Sequence, residues 1–303
     1  MPEEVLSGTL TVARTSTAQP SHAGIRRRRF GQLRRLRVNR LVVIGTTLTL
    51  LIVLATLLAN VLAPYDPIAL NARHRLEAPS TEFRFGTDRL GRDVLSRVVY
   101  GARSSLGIAA SSVAVALVLG SALGLVAGFF GGVADLVIGR IMDIFFSFPV
   151  LLLAIAVAAM LGPGARNAAL AIAVVYTPLF ARVIRGPVIS ERHRDYVQAA
   201  RVIGASAPAI IWRHILPNVM SPIIIQGSAA LSTAILIEAA LSYIGLGTQP
   251  PAPSWGTMLS EGRTFLETAP WMSIFPGLAI ALTVLAFNLV GDGLRDAFDP
   301  TLS

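Results

Sequence analysis

Side chains that could do chemistry are few in the apolar parts of this sequence. The chain has no cysteine, so it offers no thiolate, disulfide or iron–sulfur chemistry. Its four histidines have no spacing typical of metal ligands, and the zinc-peptidase pattern HExxH is absent. No span holds a pair of acids that could work as a catalytic dyad. We therefore expect no catalytic residue and no metal site in this chain.

Glu238 is the one acid deep in an apolar context. Ionisable groups inside a membrane are costly, and they usually face a cavity or a partner. One interpretation is that Glu238 lines a translocation path and meets a substrate ammonium group. The other is that it is packed near the outer end of its span and hydrogen-bonded to neighbouring helices. The sequence leaves both interpretations open.

The segment Gly86–Asp93 superficially matches a phosphate-binding P-loop. Arg92 stands where the lysine is required, and Asp93 replaces the hydroxyl that binds Mg²⁺. All 26 basic residues of the chain are arginine, so no other lysine could take that role. We therefore predict that the chain does not hydrolyse ATP by itself.

A hydrophilic loop, Gly186–Pro217, lies between two apolar runs and is predicted to form two short helices. Ser190 would cap the first helix, and Gly204 would end it because glycine tolerates positive φ. Ser206 would cap the second helix, which Pro217 would limit. Two short helices joined at a glycine could transmit movement between a soluble partner and the membrane. Spacing alone would also allow a plain surface loop.

The composition indicates that membrane-spanning helices position this loop. The chain of 303 residues is 53% hydrophobic and only 14% charged, whereas soluble domains carry about a quarter charged residues. A membrane-spanning helix needs about 20 apolar residues. Six runs approach that length and predict an all-α membrane protein with six transmembrane helices: Leu41–Ala63, Ser104–Phe130, Ile144–Leu161, Asn167–Ala181, Ile215–Ile237 and Thr268–Gly291.

Charge distribution orients the spans. With both termini cytoplasmic, 17 of the 26 arginines lie inside, in agreement with the positive-inside rule. The basic N-terminal segment 1–40, with 1–24 disordered, is then a cytoplasmic flank that meets lipid headgroups rather than nucleic acid. Residues 64–103 form an extracytoplasmic loop whose stretch Arg89–Ala102 is predicted to be an amphipathic helix. Residues 104–292 form the transmembrane core, and 293–303 a cytoplasmic tail.

Two further patterns concern the packing of the spans. Gly120, Gly124 and Gly128 share one helix face and would let a neighbouring helix approach closely. Arg140 and Asp143 are three residues apart and are expected to pair on one helix. Arg182 and Arg185, near the inner end of the fourth span, are expected to face cytoplasmic headgroups.

The hydrophilic loop also carries a resemblance. Its stretches DYVQAARVIGAS, from Asp195, and RHILPN, from Arg213, resemble the EAA loop of bacterial ABC importer permeases. In that family the loop couples the permease to the ATPase subunit, and Ala199, Ala200 and Gly204 match its core. Gln198 departs from the pattern, because many members have Glu there. The coupling residues implied by the resemblance are Asp195, Ala199, Ala200, Arg201, Gly204, Arg213, His214 and Pro217.

Five further segments narrow the resemblance to the C-type permeases of dipeptide, oligopeptide and nickel importers. They begin at Phe85, Tyr100, Glu238, Pro250 and Asn288, with the sequences FGTDRLGRDVLSR, YGAR, EAALSYIGLG, PPAPSWG and NLVGDGLRDAFDP. The resemblance covers about residues 25–300. It implies the type I ABC importer permease fold and a location in the bacterial inner membrane.

The same resemblance implies the partners and the cofactors. These are a second, different permease, one or two ATPase subunits that bind ATP and Mg²⁺, and an extracytoplasmic substrate-binding protein. The chain itself would hold no cofactor. Short peptides are the expected substrate, with glutathione-like peptides or nickel as alternatives. Two other classes compete less well: an ion-driven transporter should show internal repeats and paired intramembrane charges, and an intramembrane enzyme lacks its catalytic residues here.

Overall fold

In a computed structural model of the chain, residues 40–298 are described, except for the side chains of residues 40, 41 and 298. The predictions for residues 1–39 and 299–303 lie outside this range. The described helices are α1 Arg40–Leu57, α2 Ala59–Leu62, α3 Val94–Phe130, α4 Gly132–Phe146, α5 Val150–Leu161, α6 Ala165–Glu191, α7 Asp195–Val202, α8 Ala207–Ile210, α9 Leu216–Tyr243, α10 Trp255–Gly262 and α11 Trp271–Phe298. The part of the chain described is all-α, with one isolated β-bridge between Thr87 and Asp93.

The number of spans differs from the predicted six. In the described range four helical stretches are long and apolar enough to cross a bilayer: α3, α6, α11 and the continuous stretch Ala207–Tyr243. The bent pair α4–α5 makes five if it counts as one span, and the apolar part of α1, Val42–Leu57, is shorter than a full crossing. The structure therefore does not confirm a count of six.

The third predicted span, Ile144–Leu161, is not one straight helix. α4 and α5 meet at an angle of 95° across the break at residues 147–149. Pro149 has no backbone N–H and disfavours a helical conformation at Phe148, which favours an end of α4 at this point. The Ser147 hydroxyl donates to the Asp143 carbonyl over 2.9 Å and closes the end of α4.

Small residues let the long helices pack closely. The main core lies among α3, α5, α6 and α9, where alanines such as Ala109, Ala116, Ala171 and Ala234 are fully buried. The α3 and α6 helices share the most extensive contact, and α11 packs against α9 on one side and α1 on the other. Without a hydrophobic driving force between helices in lipid, such close packing is the main source of association.

One end of the helix bundle, where α3 begins, carries a cap built from residues 64–93, α10 and the start of α3. The α3 helix begins at Val94, five residues later than the predicted start at Arg89, because Gly91 has φ +75° and turns the chain. Asp93 is the N-cap, and its carboxylate accepts the Ser96 N–H over 2.7 Å. From there α3 continues without a break through the second predicted span.

Candidate functional site: the coupling loop

The hydrophilic loop 186–217, called the coupling loop below, starts later than the sequence predicted. The α6 helix runs on through Ser190 to Glu191, so the expectation that Ser190 caps a new helix is wrong. The first loop helix is α7, Asp195–Val202, and Arg194 occupies its N-cap position. Since α6 has 27 residues, its last turns extend the span directly into the loop.

Gly204 ends α7 as predicted, with φ +81°. The Gly204 N–H donates to the Arg201 carbonyl, and the Ala205 N–H donates to the Ala200 carbonyl, both over 3.0 Å. This pair of bonds is a Schellman motif, which requires the left-handed conformation at its glycine. The turn leads the chain from the end of α7 into α8 within four residues.

The second loop helix does not stop near Pro217. Ser206 occupies the N-cap position of α8 but makes no side-chain capping bond. The α8 helix then passes through a π-helical turn, Ile211–Ile215, directly into α9, with Pro217 in its first turn. The Leu216 N–H reaches back five residues to the Ile211 carbonyl. This wider turn makes room for the proline ring, so the loop and the fifth span form one continuous element.

One face of α7 is buried against the ends of α3 and α6 that lie away from the cap. Val197 and Ala200, three residues apart, pack in a cluster with Phe129 of α3, Val188 of α6 and Ile215 of the π-helical turn. Arg201 places its guanidinium 5.1 Å from the centre of the Phe129 ring. Ala200 therefore serves packing within this chain, whereas its neighbour Ala199 is exposed.

Polar contacts that the sequence did not single out hold the N-terminal end of α7 and the residues before it. The Tyr196 hydroxyl donates to the Glu191 carboxylate, and Asn218 Nδ2 donates to the Tyr196 oxygen over 3.1 Å. Burial and the Glu191 carboxylate raise the pKa of Tyr196 to about 12. Arg192 Nη1 donates to the Gly128 carbonyl over 3.1 Å and so caps the C-terminal end of α3. Tyr196 and Asn218 lie within the stretches that carry the family resemblance, but nothing in their spacing predicted this contact.

The opposite face of the coupling loop presents apolar side chains to solvent. Val202 and Ile203 are 87% and 83% exposed at the end of α7, and Trp212 is 68% exposed in the π-helical turn. Of the remaining residues expected to couple, Asp195, Arg213 and Pro217 are exposed, and His214 is half-buried beside Tyr196. The coupling loop is thus firmly seated on one side and apolar on the other.

The three glycines of α3 lie directly against α6. A Cβ at Gly120 would lie 2.5 Å from the Thr177 carbonyl oxygen, and one at Gly124 would lie 2.6 Å from the Ala181 carbonyl oxygen. A Cβ at Gly128 would lie 2.8 Å from Val188 Cβ. Any side chain at these positions would push α3 and α6 apart, so the close approach of these helices depends on glycine.

Glu238 is enclosed within the chain itself. It is fully buried on α9, where its Oε1 accepts the Ser242 hydroxyl over 2.7 Å. Its other oxygen has no hydrogen-bond partner among the described residues. Because no part of the side chain reaches a surface of this chain, the placement favours packing over a role in lining a path.

The segment Gly86–Asp93 forms part of a buried ion-pair cluster rather than a phosphate site. Arg92 Nε donates to Asp88 Oδ2 over 2.6 Å, and Arg92 Nη2 donates to Glu261 Oε2 over 2.8 Å. Arg97 Nη2 reaches the same Glu261 oxygen over 3.0 Å. Within the cap, the cluster fastens residues 88–92 and the start of α3 to α10. Sequence alone could not predict it, since Glu261 lies far along the chain from Arg92.

Comparison with known proteins gives two family matches. Residues 120–303 match the family described as binding-protein-dependent transport system inner membrane component. Residues 31–79 match the N-terminal TM domain of oligopeptide transport permease C.

Similar individual proteins cover most of the chain. A dipeptide transport system permease protein DppC from Alkalihalophilus pseudofirmus is 46% identical over 269 residues, 89% of this chain and 88% of its own length. A di/tripeptide transport system permease protein DppC from Pseudomonas aeruginosa is 48% identical over 264 residues, 85% and 87% of the two chains. A glutathione transport system permease protein GsiD from Pectobacterium atrosepticum is 46% identical over 268 residues, 88% and 89% of the two chains.

Among solved structures, a chain of the MetNI methionine ABC transporter in an inward-facing conformation is similar in fold. The TM-score is 0.53 with 21% sequence identity, over 67% of this chain and 97% of that one. At this identity the likeness concerns the fold alone, which is that of a type I ABC importer permease.

Proposed function

Because this chain belongs to the binding-protein-dependent transport system inner membrane components, we propose that it forms half of the membrane path of an importer for short peptides. Its role as a multi-pass inner-membrane permease of an ABC importer follows from the family. The peptide substrate is supported by relatives whose names specify dipeptides, di- and tripeptides, and glutathione, which is itself a tripeptide.

The partners follow from the same proposal. A second, different permease would complete the path, and an extracytoplasmic binding protein would deliver the peptide. One or two ATPase subunits would bind ATP and Mg²⁺, because this chain has no lysine for a P-loop. The chain would thus be a non-catalytic subunit with both termini in the cytoplasm.

One observation carries the coupling role: the coupling loop has two faces of different character. Val197 and Ala200 seat α7 on the inner ends of α3 and α6. Val202 and Ile203 stand exposed on its far side, where they would offer adjacent apolar side chains to a protein partner. An ATPase subunit bound to the exposed face of α7 would transmit its movement through this helix to the three spans on which the helix packs.

The test is an Ile203→Asp variant of the assembled transporter. We expect the ATPase subunit to co-purify about 5- to 30-fold less well, as for the loss of about 1–2 kcal/mol at an apolar contact. Because Ile203 is exposed, the permease should still insert and pair with its partner permease.

Ser206→Asp is the matched control, since it places the same charge at an exposed N-cap position of the same loop where Asp is well tolerated. Its ATPase subunit should co-purify normally. Equal retention of the ATPase by both variants would refute the docking face.

A further inference from the structure

Two ion pairs connect α4 to α6, and they differ in the number of hydrogen bonds and in exposure. Arg185 binds Asp135 through two N–H groups, one of them over 2.6 Å, and the two side chains are 40% and 23% exposed. Arg182 donates a single hydrogen bond to Asp143 over 3.0 Å, and these side chains are 53% and 60% exposed. The expected pairing of Asp143 with Arg140 on one helix is replaced by this contact between helices.

The Arg182 guanidinium is held in place, but most of its N–H groups have no hydrogen-bond partner among the described residues. It lies over the Phe146 ring with its carbon 3.7 Å from the ring centre, a contact that fixes the plane of the group. Among residues 40–298, its Nη2 makes the one hydrogen bond, to Asp143. Nε, Nη1 and the second N–H of Nη2 are therefore available, so one two-donor edge of the guanidinium remains to match the two oxygens of a carboxylate.

The depth of Arg182 argues against a lipid-facing position. It lies 17 residues from the outer end of α6, or about 25 Å at 1.5 Å per residue. For a hydrocarbon layer about 30 Å thick that begins at the first residue of α6, the pair would lie within its inner part. An aspartate facing lipid at such a depth is strongly disfavoured, so this surface must meet water or another protein.

The break between α4 and α5 is a second indication that this surface meets water or another protein. Residues 147–149 are non-helical, lie four residues beyond Asp143 and are exposed on this chain. Irregular backbone at membrane depth occurs where it is buried in protein or lines a water-filled cavity. Within this chain the break is not buried. A discontinuous helix beside an exposed charge is also how transporters build their substrate sites.

We propose that Arg182 is a binding residue of the translocation path that receives the terminal carboxylate of a passing peptide, with Asp143 as the positioning residue that holds the guanidinium. An apolar cleft of about 240 Å³ begins one turn away, lined by Pro178, Phe145 and Ile141 among others. It offers space for an apolar peptide side chain beside the charged end. This assignment rests on the proposed peptide importer.

The test uses the absence of cysteine from this chain. A Ser147→Cys variant, assembled with cysteine-free partner subunits in lipid nanodiscs, is exposed to a charged, water-soluble thiol reagent. We expect Cys labelling at position 147, and a dipeptide that the transporter imports should slow it. The C-terminal amide of the same dipeptide should slow it about tenfold less effectively, because it lacks the charge that Arg182 would bind.

Second-site variants separate binding from structure. Adding Arg182→Gln should abolish the difference between free acid and amide, whereas Arg185→Gln, at the neighbouring pair of the same helices, should preserve it. Asp143→Asn should weaken protection by the free acid without abolishing it. A buried control, Ala154→Cys, should not react.

Absence of labelling at position 147, equal protection by acid and amide, or an unchanged difference in the Arg182→Gln variant would each overturn the site. Uptake by the unmodified transporter is measured alongside. Import of peptides combined with any of these results overturns the Arg182 site alone, whereas failure to import any peptide overturns the proposed function and this site with it.

Discussion

Replacing Gly204 should uncouple ATP hydrolysis from transport while leaving the membrane domain intact. Gly204 adopts φ +81°, and a Cβ built on it would have no atom within 4 Å. Substitution therefore causes no clash, and its whole cost is conformational. For alanine in the left-handed region that cost is about 1–2 kcal/mol, and a β-branched residue such as valine is less tolerant still.

This conformational cost affects the turn at Gly204, called the tip of the coupling loop below, and little else. The strained residue can relax only by giving up the two Schellman bonds, from Gly204 to Arg201 and from Ala205 to Ala200. A cost of about 1–2 kcal/mol lowers the population of the correct tip about 5- to 30-fold. The buried face of α7 should remain seated, because its packing does not involve Gly204.

The assay is peptide uptake and ATP hydrolysis by the reconstituted transporter, measured on the same sample. For Gly204→Val we expect uptake per ATP to fall by about that factor, whereas Gly204→Asn should recover much of it because asparagine tolerates the left-handed region. Gly186→Ala is the matched control, since Gly186 has open space and no positive φ. Normal coupling in the valine variant would refute the argument.

Three further outcomes follow from the geometry. Glu261→Gln should lower the thermal unfolding temperature of the purified complex, because it leaves two buried arginines short of a negative charge at a cost of about 3 kcal/mol; an unchanged unfolding temperature would count against the cluster. Gly120→Ala should destabilise the permease by about 1–3 kcal/mol through overpacking, while Gly107→Ala on the same helix, which has open space, should not; equal stabilities in a denaturation assay would contradict the close contact. Glu238→Gln should leave the peptide KM within about twofold because the side chain is enclosed, and a selective rise in KM would restore the path interpretation.

Sequence patterns predicted the helical fold and located its long spans well. The apolar runs in α3, α6, α9 and α11 are long enough to identify without knowledge of packing. The first and third predicted spans were the exceptions: the apolar part of α1 is shorter than a full crossing, and the third span is bent. Hydropathy does not register that Pro149 turns the chain by 95°, since the residues on both sides of the break are equally apolar.

The coupling loop was located from sequence, but its internal construction was only partly predicted. Gly204 could be placed because the turn needs one residue type, and the glycine itself signals the left-handed conformation. The prediction that Ser190 caps a helix was wrong because a good capping residue can also lie inside a helix that its neighbours favour. No sequence pattern predicted the π-helical turn before Pro217, because this turn depends on how α8 and α9 align.

By itself the sequence determined the class of protein, the position of the hydrophilic loop and the family, because these depend on composition, residue type and short-range spacing; the lack of an ATP site and the coupling role of the loop stay predictions. The tertiary structure alone decided which charges meet: Arg92 with Glu261, Arg182 with Asp143, and Tyr196 with Asn218. Each of these contacts joins residues from different elements. The distance between them is set by the packing of whole helices, a property that no single segment of sequence carries.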